Sequence, residues 1–378
     1  MPPPPTQGLP RWFTITAMGR KPPGKLRKGW ATGACATAAT RAAYTALLTG
    51  RFPDPVTISL PRGERPSFPL VRADRGSDFA EAAVVKDAGD DPDVTHGATV
   101  VARVRLAAPG AGVVFRAGEG VGTVTLPGLP IAVGEPAINP APRGMMIAAV
   151  AELAAVHGAS GDVEIAISIP GGEELAKRTW NPRLGIVGGL SILGTTGVVI
   201  PYSCSSWIHS IHSGIDVARA TGASHVAGST GATSEAAVKR MYNLDDTALL
   251  DMGDFVGGML KYLRKKPLPW ITIAGGFGKL SKLACGHLDL HSRHGTVDFE
   301  SLAEALSELG ADPGFVAQAR SANTAVQVLS LAREAGVPLA DWVARRAREV
   351  VLATLSGGTA VDVAIFDRDG ELLGHAGP

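Results

Sequence analysis

Residues Trp180–Pro201 read WNPRLGIVGGLSILGTTGVVIP, with no ionisable side chain after Arg183. Short apolar runs at Leu184–Val187, Ser191–Leu193 and Val198–Ile200 alternate with glycine turns at Gly188-Gly189 and Gly194–Gly197. Glycine permits sharp turns in buried strands and direct approach of a ligand to the backbone. The stretch therefore reads as a buried strand–turn–strand that surrounds something with peptide N–H groups and hydroxyls, not charges. The uncharged run Leu184–Ile208 has the length of a membrane span. Pro201 and the Gly194–Gly197 turn break it, so a buried segment is the better reading.

On either side of this stretch the pattern changes, which places a domain boundary near residue 180. Val56–Leu60, Phe68–Ala73, Ala82–Lys86, Ala98–Leu106 and Val113–Arg116 precede it as short β-like runs bounded by Gly, Pro and Asp. Helices are expected at Ala34–Leu48, with Thr32 as its N-cap, and at Pro142–Val156; a strand follows at Asp162–Ile169. Strands in a block flanked by helices predict an α+β domain over 26–180, behind a tail at 1–25. Beyond the boundary, strands at Ser224–Ala227 and Trp270–Ala274 alternate with helices at Ser205–Ala220, Ser234–Met241, Ala248–Lys265 and Lys279–Cys285. More helices are expected at Asp298–Leu309, Ala322–Glu334 and Leu339–Leu355, before a hairpin around Asp369-Gly370. That alternation predicts an α/β domain over 181–378 with a mainly parallel sheet. The fold class is α/β overall.

Composition narrows the function. In 378 residues, 45% hydrophobic and 19% charged content describes a folded globular chain, and a net charge of +1 argues against a nucleic-acid-coating protein. Cys35, Cys204 and Cys285 are scattered and odd in number, so no disulfide framework follows and a reducing, cytoplasmic setting is expected. The opening MPPPPTQGLPRWF lacks the layout of a signal peptide.

Several constellations carry potential chemistry. Lys25, Arg27 and Lys28 lead into Thr32-Gly33, where a helix N-terminus offers donors to a carboxylate or phosphate; an ordinary capped helix is the alternative. Lys86–Gly97 packs Asp87, Asp90, Asp91 and Asp93 into one loop. Its spacing fails as a calcium loop, because His96 replaces the required glycine and Ala102 the bidentate glutamate. It reads as acceptors for ligand N–H groups or as partners for nearby arginines, against a solvated acidic turn. The Gly275–Gly278 turn, followed by Lys279, suits an anion. Neither glycine turn matches the dinucleotide or P-loop fingerprint. His287, His291 and His294 lie near Cys285, but no CxxC supports zinc, and no bound metal is expected. His291, in His291-Ser-Arg293, is the best single functional histidine.

Taken in order, Arg27–Cys35, Lys86–Thr95, Gly118–Gly122, Gly134–Pro140, Asn181–Gly197 and Gly278-Lys-Leu with His291-Ser-Arg293 resemble the CbiD family over nearly the whole chain, from about Leu26 to Gly374. The resemblance implies S-adenosyl-L-methionine-dependent methylation of C1 of cobalt-precorrin-5B, giving cobalt-precorrin-6A in the oxygen-independent route to cobalamin. It also implies a fold unlike the common methyltransferases, a tetrapyrrole partner whose cobalt belongs to the substrate, contact with neighbouring pathway enzymes, and no membrane partner. On this reading Gly188, Gly189, Ser191, Gly194, Thr195, Thr196 and Gly197 hold the methyl donor. Lys28, Thr32, Gly33, Asp87, Arg143, Arg183, Gly278, Lys279 and Arg293 meet the macrocycle, and Asp91 and His291 are the catalytic candidates. The chain departs from the family pattern at Ala227–Glu235, where a Gly-Asn-Tyr-Gly-Glu type turn is usual, at Asp254 in place of Asn, and at Gly275 or Gly276 in place of His. A nicotinamide-dependent reductase of a tetrapyrrole and a non-catalytic corrinoid carrier are the rival readings.

Overall fold

A computed structural model describes Pro22, residues 24–292 and residues 296–378. The chain divides into two compact units at Ser203/Cys204, not near residue 180. The glycine-rich stretch therefore closes the N-terminal unit instead of opening the second.

In chain order the N-terminal unit contains β1 (Gly29–Trp30), α1 (Thr32–Thr49), β2 (Val56–Thr57), β3 (Ser67–Phe68), β4 (Arg72–Arg75), β5 (Phe79–Val85), β6 (Thr99–Leu106), β7 (Val113–Ala117) and β8 (Thr123–Val124). There follow α2 (Pro140–His157), β9 (Val163–Ser168), α3 (Gly172–Ala176), β10 (Ile186–Val187) and β11 (Val198–Val199). Its main sheet runs β4-β5-β6-β9-β7, antiparallel except for the parallel β7–β9 pair; α1 packs on it and α2 packs against α1. This is the expected α+β domain. Ala34, Ala38, Ala39, Ala42 and Ala46 of α1 are wholly buried, since small side chains let a helix approach both sheet and neighbour closely. The boundary shifts because β10 pairs with β8 and β11 with β1, while Leu190 and Ile192 bridge Val121 and Ile138. Those pairings satisfy the stretch's backbone groups within the first unit.

The C-terminal unit contains α4 (Cys204–Ala220), β12 (His225–Ser229), α5 (Ala232–Tyr242), β13 (Leu249–Asp251), α6 (Val256–Leu263), β14 (Trp270–Gly276) and α7 (Phe277–Ala284). Then come α8 (Phe299–Glu308), α9 (Pro313–Arg320), α10 (Ala325–Glu334), α11 (Leu339–Leu355), β15 (Ala360–Phe366) and β16 (Leu372–Ala376). The sheet order is β13-β12-β14-β15-β16, parallel apart from the β16 edge, as the alternating pattern predicts. One face carries Ile271, Ile273, Val361 and Val363 against the main helical layer; the other carries Ala227, Ala274 and Ala364 under α5. Each fully buried Ile or Leu contributes roughly 1.5–3 kcal/mol.

One expectation fails here. Ala248–Lys265 is not a single helix: Leu249–Asp251 is strand β13, and α6 starts only at Val256. A three-residue segment has no period of its own, and the parallel pairing with Ala227–Ser229 decides its state. Among the described residues no helix is long and apolar enough to cross a membrane.

Candidate functional site

In the N-terminal unit, three of the sequence motifs converge. Arg27 forms a two-pronged guanidinium pair with Asp87, its N–H donates to Asp90 Oδ2 at 2.6 Å, and Trp30 N–H donates to Asp87 O at 2.7 Å. The two backbones pass so closely that a Cβ on Gly29 would stand 2.0 Å from the Ala88 carbonyl carbon, and one on Gly89 2.2 Å from Arg27 O. Only glycine fits there. The Arg27 hydrogen bond, helped by the Gly89 N–H, holds the Asp87 carboxyl at about 2. Asp87 is thus a latch on Arg27.

Behind this latch Lys86 is almost wholly buried and its ammonium meets Asp93 and, at 2.6 Å, Thr95 Oγ1. Burial alone would raise the Asp93 pKa, but the Lys86 charge and the Lys86 and Thr95 hydrogen bonds bring it below its ordinary value. Asp91 differs. Burial, with Asp93 adding repulsion, raises its carboxyl despite the hydrogen bond it accepts from Tyr202 N–H at 2.8 Å. Burial also pushes the Cys35 thiol up to about 12, so it is no nucleophile.

In the expected donor cradle the chain itself fills the space beside three of the glycines. A Cβ on Gly189 would lie 2.2 Å from the Gly120 backbone, on Gly194 2.2 Å from Ala31 Cβ, and on Gly197 2.6 Å from Leu60 Cδ2. Ser191 Oγ donates to Asn181 Oδ1 at 3.2 Å, and Thr196 Oγ1 pairs with the Val198 backbone. Gly188 and Thr195 are exposed at turn tips. The α1 N-terminus is consumed likewise. Gly33 N–H donates to Leu193 O at 2.9 Å, Ala31 N–H to Gly197 O at 2.9 Å, and Thr32 Oγ1 bonds the Leu193 backbone. Thr32 lies inside α1, with Ala31 as the N-cap, so neither Thr32 nor Gly33 is open to an anion. Arg143 is also engaged, donating to Ile138 O, Pro136 O and Glu135 beside the Phe115 ring. Arg183 sits over the Trp180 ring, while Lys25 and Lys28 are exposed.

In the C-terminal unit the strands end in turns that lead straight into helices. β12 runs through Thr230-Gly231 into α5, β14 into α7 with Gly276 as its N-cap, and β13 through Met252–Phe255 into α6. Lys279 Nζ donates to Thr230 O at 2.8 Å and pairs with Asp254 Oδ1 at 3.1 Å, linking the turns that follow β12 and β13. Gly278 lies in the first turn of α7. Ser229 is completely buried, and its hydroxyl has no hydrogen-bond partner. His291 is exposed, its N–H bonded to Asp289, and it belongs to a different unit from Asp91. Arg293 and His294 lie outside the described residues. At the opposite end of the sheet, fully buried Asp362 meets Tyr242, Thr272 and His375. Ser229 lies in the Ala227–Glu235 segment that departs from the family pattern, whereas Asp251 and Asp362 carry no sequence motif.

Comparison with known proteins identifies one family. The CbiD family model matches residues 19–201, ending where the N-terminal unit ends, and the model of the CbiD C-terminal domain matches 289–377. A cobalt-precorrin-5B C(1)-methyltransferase of Paramagnetospirillum magneticum is 60% identical over 352 residues, spanning 93% of this chain and 98% of that protein. One from Rhodospirillum rubrum is 59% identical over 353 residues, spanning 93% and 98%. A crystal structure of a cobalamin biosynthesis protein (cbiD) from Archaeoglobus fulgidus shows 25% identity and a TM-score of 0.38 over 83% of this chain and 86% of that one. With 93% of the chain matched at 60% identity, the chain belongs to the CbiD family.

Proposed function

We propose that this protein methylates C1 of cobalt-precorrin-5B with S-adenosyl-L-methionine, releasing cobalt-precorrin-6A and S-adenosylhomocysteine. The observation that carries this is 60% identity across 93% of the chain to a protein bearing that activity in its name. When bound, the donor supplies an electrophilic methyl group on a sulfonium. Residues at the strand ends of the C-terminal unit suit a small polar ligand with little net charge: the buried Ser229 hydroxyl, bare backbone at Gly231 and Gly276, and Lys279 neutralised by Asp254.

The chain's own contribution is positioning. Exposed Lys25 and Lys28 flank the Arg27–Asp87 latch and offer charge to the carboxylate arms of a tetrapyrrole. Asp91 is held by Tyr202, and burial raises its carboxyl above the ordinary carboxylate value, the direction that makes a carboxylate a better proton acceptor. Alignment of two bound reactants contributes on the order of 7–11 kcal/mol, so no strong base is required.

Anaerobic incubation with cobalt-precorrin-5B and the donor is expected to yield S-adenosylhomocysteine and a product heavier by one methyl. Tight binding of the tetrapyrrole without S-adenosylhomocysteine would make the chain a carrier, and oxidation of NAD(P)H with the tetrapyrrole would make it a reductase.

A further inference from the structure

We infer that the adenosyl end of the methyl donor is held at the C-terminal ends of β12, β13 and β14, with the Asp251 carboxylate on the ribose hydroxyls and the donor against the bare backbone of Gly231 and Gly276. This location rests on the methyltransferase reading above.

The topology comes first. β13 pairs on one side of β12, while β14, reached through α6, pairs on the other. The strand order therefore reverses between β12 and β14. In open α/β sheets, ligands sit outside the strand ends at such a reversal. An acidic residue ending the next strand, about 20 residues beyond the first glycine turn, characteristically takes ribose hydroxyls in that arrangement. Asp251 is the last residue of β13 and lies twenty positions after Gly231. Its main-chain carbonyl is anchored by Trp207 Nε1 at 2.9 Å.

The glycines point the same way. Gly231 is extended, with φ 169°, and Gly276 has φ −77°, conformations that any residue adopts. A Cβ on Gly231 would meet nothing within 4 Å, and one on Gly276 only Phe366 O at 4.0 Å. Neither backbone strain nor internal packing asks for glycine at either position. Gly189, Gly194 and Gly197 are the opposite case, because the chain fills the space beside each. A glycine that the protein itself does not require is one whose missing side chain leaves room for a ligand.

Ser229 supplies an independent sign. It ends β12 on the face shared with Ala227, the face that α5 covers, and α5 begins three residues later. Its wholly buried, unpartnered hydroxyl lies at the turn into that helix. Such a group is expected to have a partner, and a ligand at the strand ends provides one. The α5 N-terminus has no side-chain cap and suits the donor's carboxylate. Lys279 is already neutralised by Asp254, which spares the sulfonium an unscreened positive neighbour.

The test is donor binding by the full chain, measured by calorimetry and by ultraviolet cross-linking of methyl-labelled S-adenosylmethionine with peptide mapping. Label is expected in peptides spanning 225–254 or 270–282. Asp251→Asn is expected to weaken binding at least tenfold. It should also lose discrimination against a 2′-deoxyadenosyl analogue, which a merely structural role would not alter. Gly276→Val is expected to abolish binding. Label confined to 181–202, or wild-type affinity in both variants, overturns the location while S-adenosylhomocysteine formation upholds the methyltransferase reading. If the wild type binds no donor and forms no S-adenosylhomocysteine, both fall. Binding of NADH in place of the donor, lost in Asp251→Asn, overturns the ligand assignment.

Discussion

The Asp91 carboxylate accepts the main-chain N–H of Tyr202 at 2.8 Å, and Tyr202 sits in the left-handed region at φ 57°. A non-glycine residue there is strained by roughly 1–3 kcal/mol and persists only when its surroundings hold it. Asp91 is a holding group, reaching from the acidic loop after β5 to the last residues of the N-terminal unit.

Asp91→Asn keeps an acceptor for Tyr202, whereas Asp91→Ala does not. The raised Asp91 pKa means that the folded state favours the protonated form. Its contribution to stability is therefore greatest below the unfolded value of about 3.9 and declines as pH rises through the folded value. Asp91→Asn is expected to remove that decline in thermal melts between pH 3 and 7, while Asp91→Ala lowers stability at every pH. Indistinguishable pH profiles for Asn and wild type would show that the carboxylate is not disfavoured by the fold. Loss of turnover in Asp91→Asn at unchanged stability would mark the carboxylate as chemically used.

Asp87 has the opposite sign. Its folded value of about 2 lies below the unfolded one, so the Arg27 latch contributes above about pH 4 and is lost as pH falls toward 2. Asp87→Asn should flatten acid unfolding over that interval. The effect is expected to be small, because both side chains are substantially exposed and screened. An acid limb as steep in Asp87→Asn as in wild type would assign acid sensitivity to another carboxylate.

Gly194→Val and Gly197→Val test the packing role of the glycine-rich stretch. Both positions have positive φ, 122° and 79°, and both face chain atoms closer than any real Cβ contact. Strain and overpacking together are expected to destabilise the protein by about 2–5 kcal/mol in urea unfolding. Variants of wild-type stability that merely fail to bind the methyl donor would restore this stretch as the donor cradle.

Lys86→Met leaves Asp93 beside a buried apolar side chain in place of its cation. Removing one partner of a buried pair costs about 3–5 kcal/mol, which chemical denaturation reads directly. A loss below about 1 kcal/mol would place the pair in the class of solvent-screened surface contacts.

How much of this was legible in advance varies by element. The Arg27 lead and the Asp87–Asp93 loop stood out because basic residues with glycine, and aspartates, concentrate in them, and the structure brings both together with the glycine-rich stretch. Their roles were not legible, since composition cannot tell a carboxylate that faces a ligand from one that clamps a backbone. The same holds for Gly188–Gly197. A glycine that relieves a clash with Ala31 or Leu60 reads identically to one that admits a cofactor.

The sequence by itself determined the α+β then α/β order, the alanine-rich helix, the parallel sheet and the family. Those follow from local periodicity, turn chemistry and long contiguous motifs. Only the tertiary structure decided where the units divide and which glycines are already filled. It also decided that Leu249–Asp251 is a strand, a state imposed by pairing with β12. That pairing sets Asp251 at the strand-order reversal, because a three-residue run has no intrinsic preference strong enough to announce it.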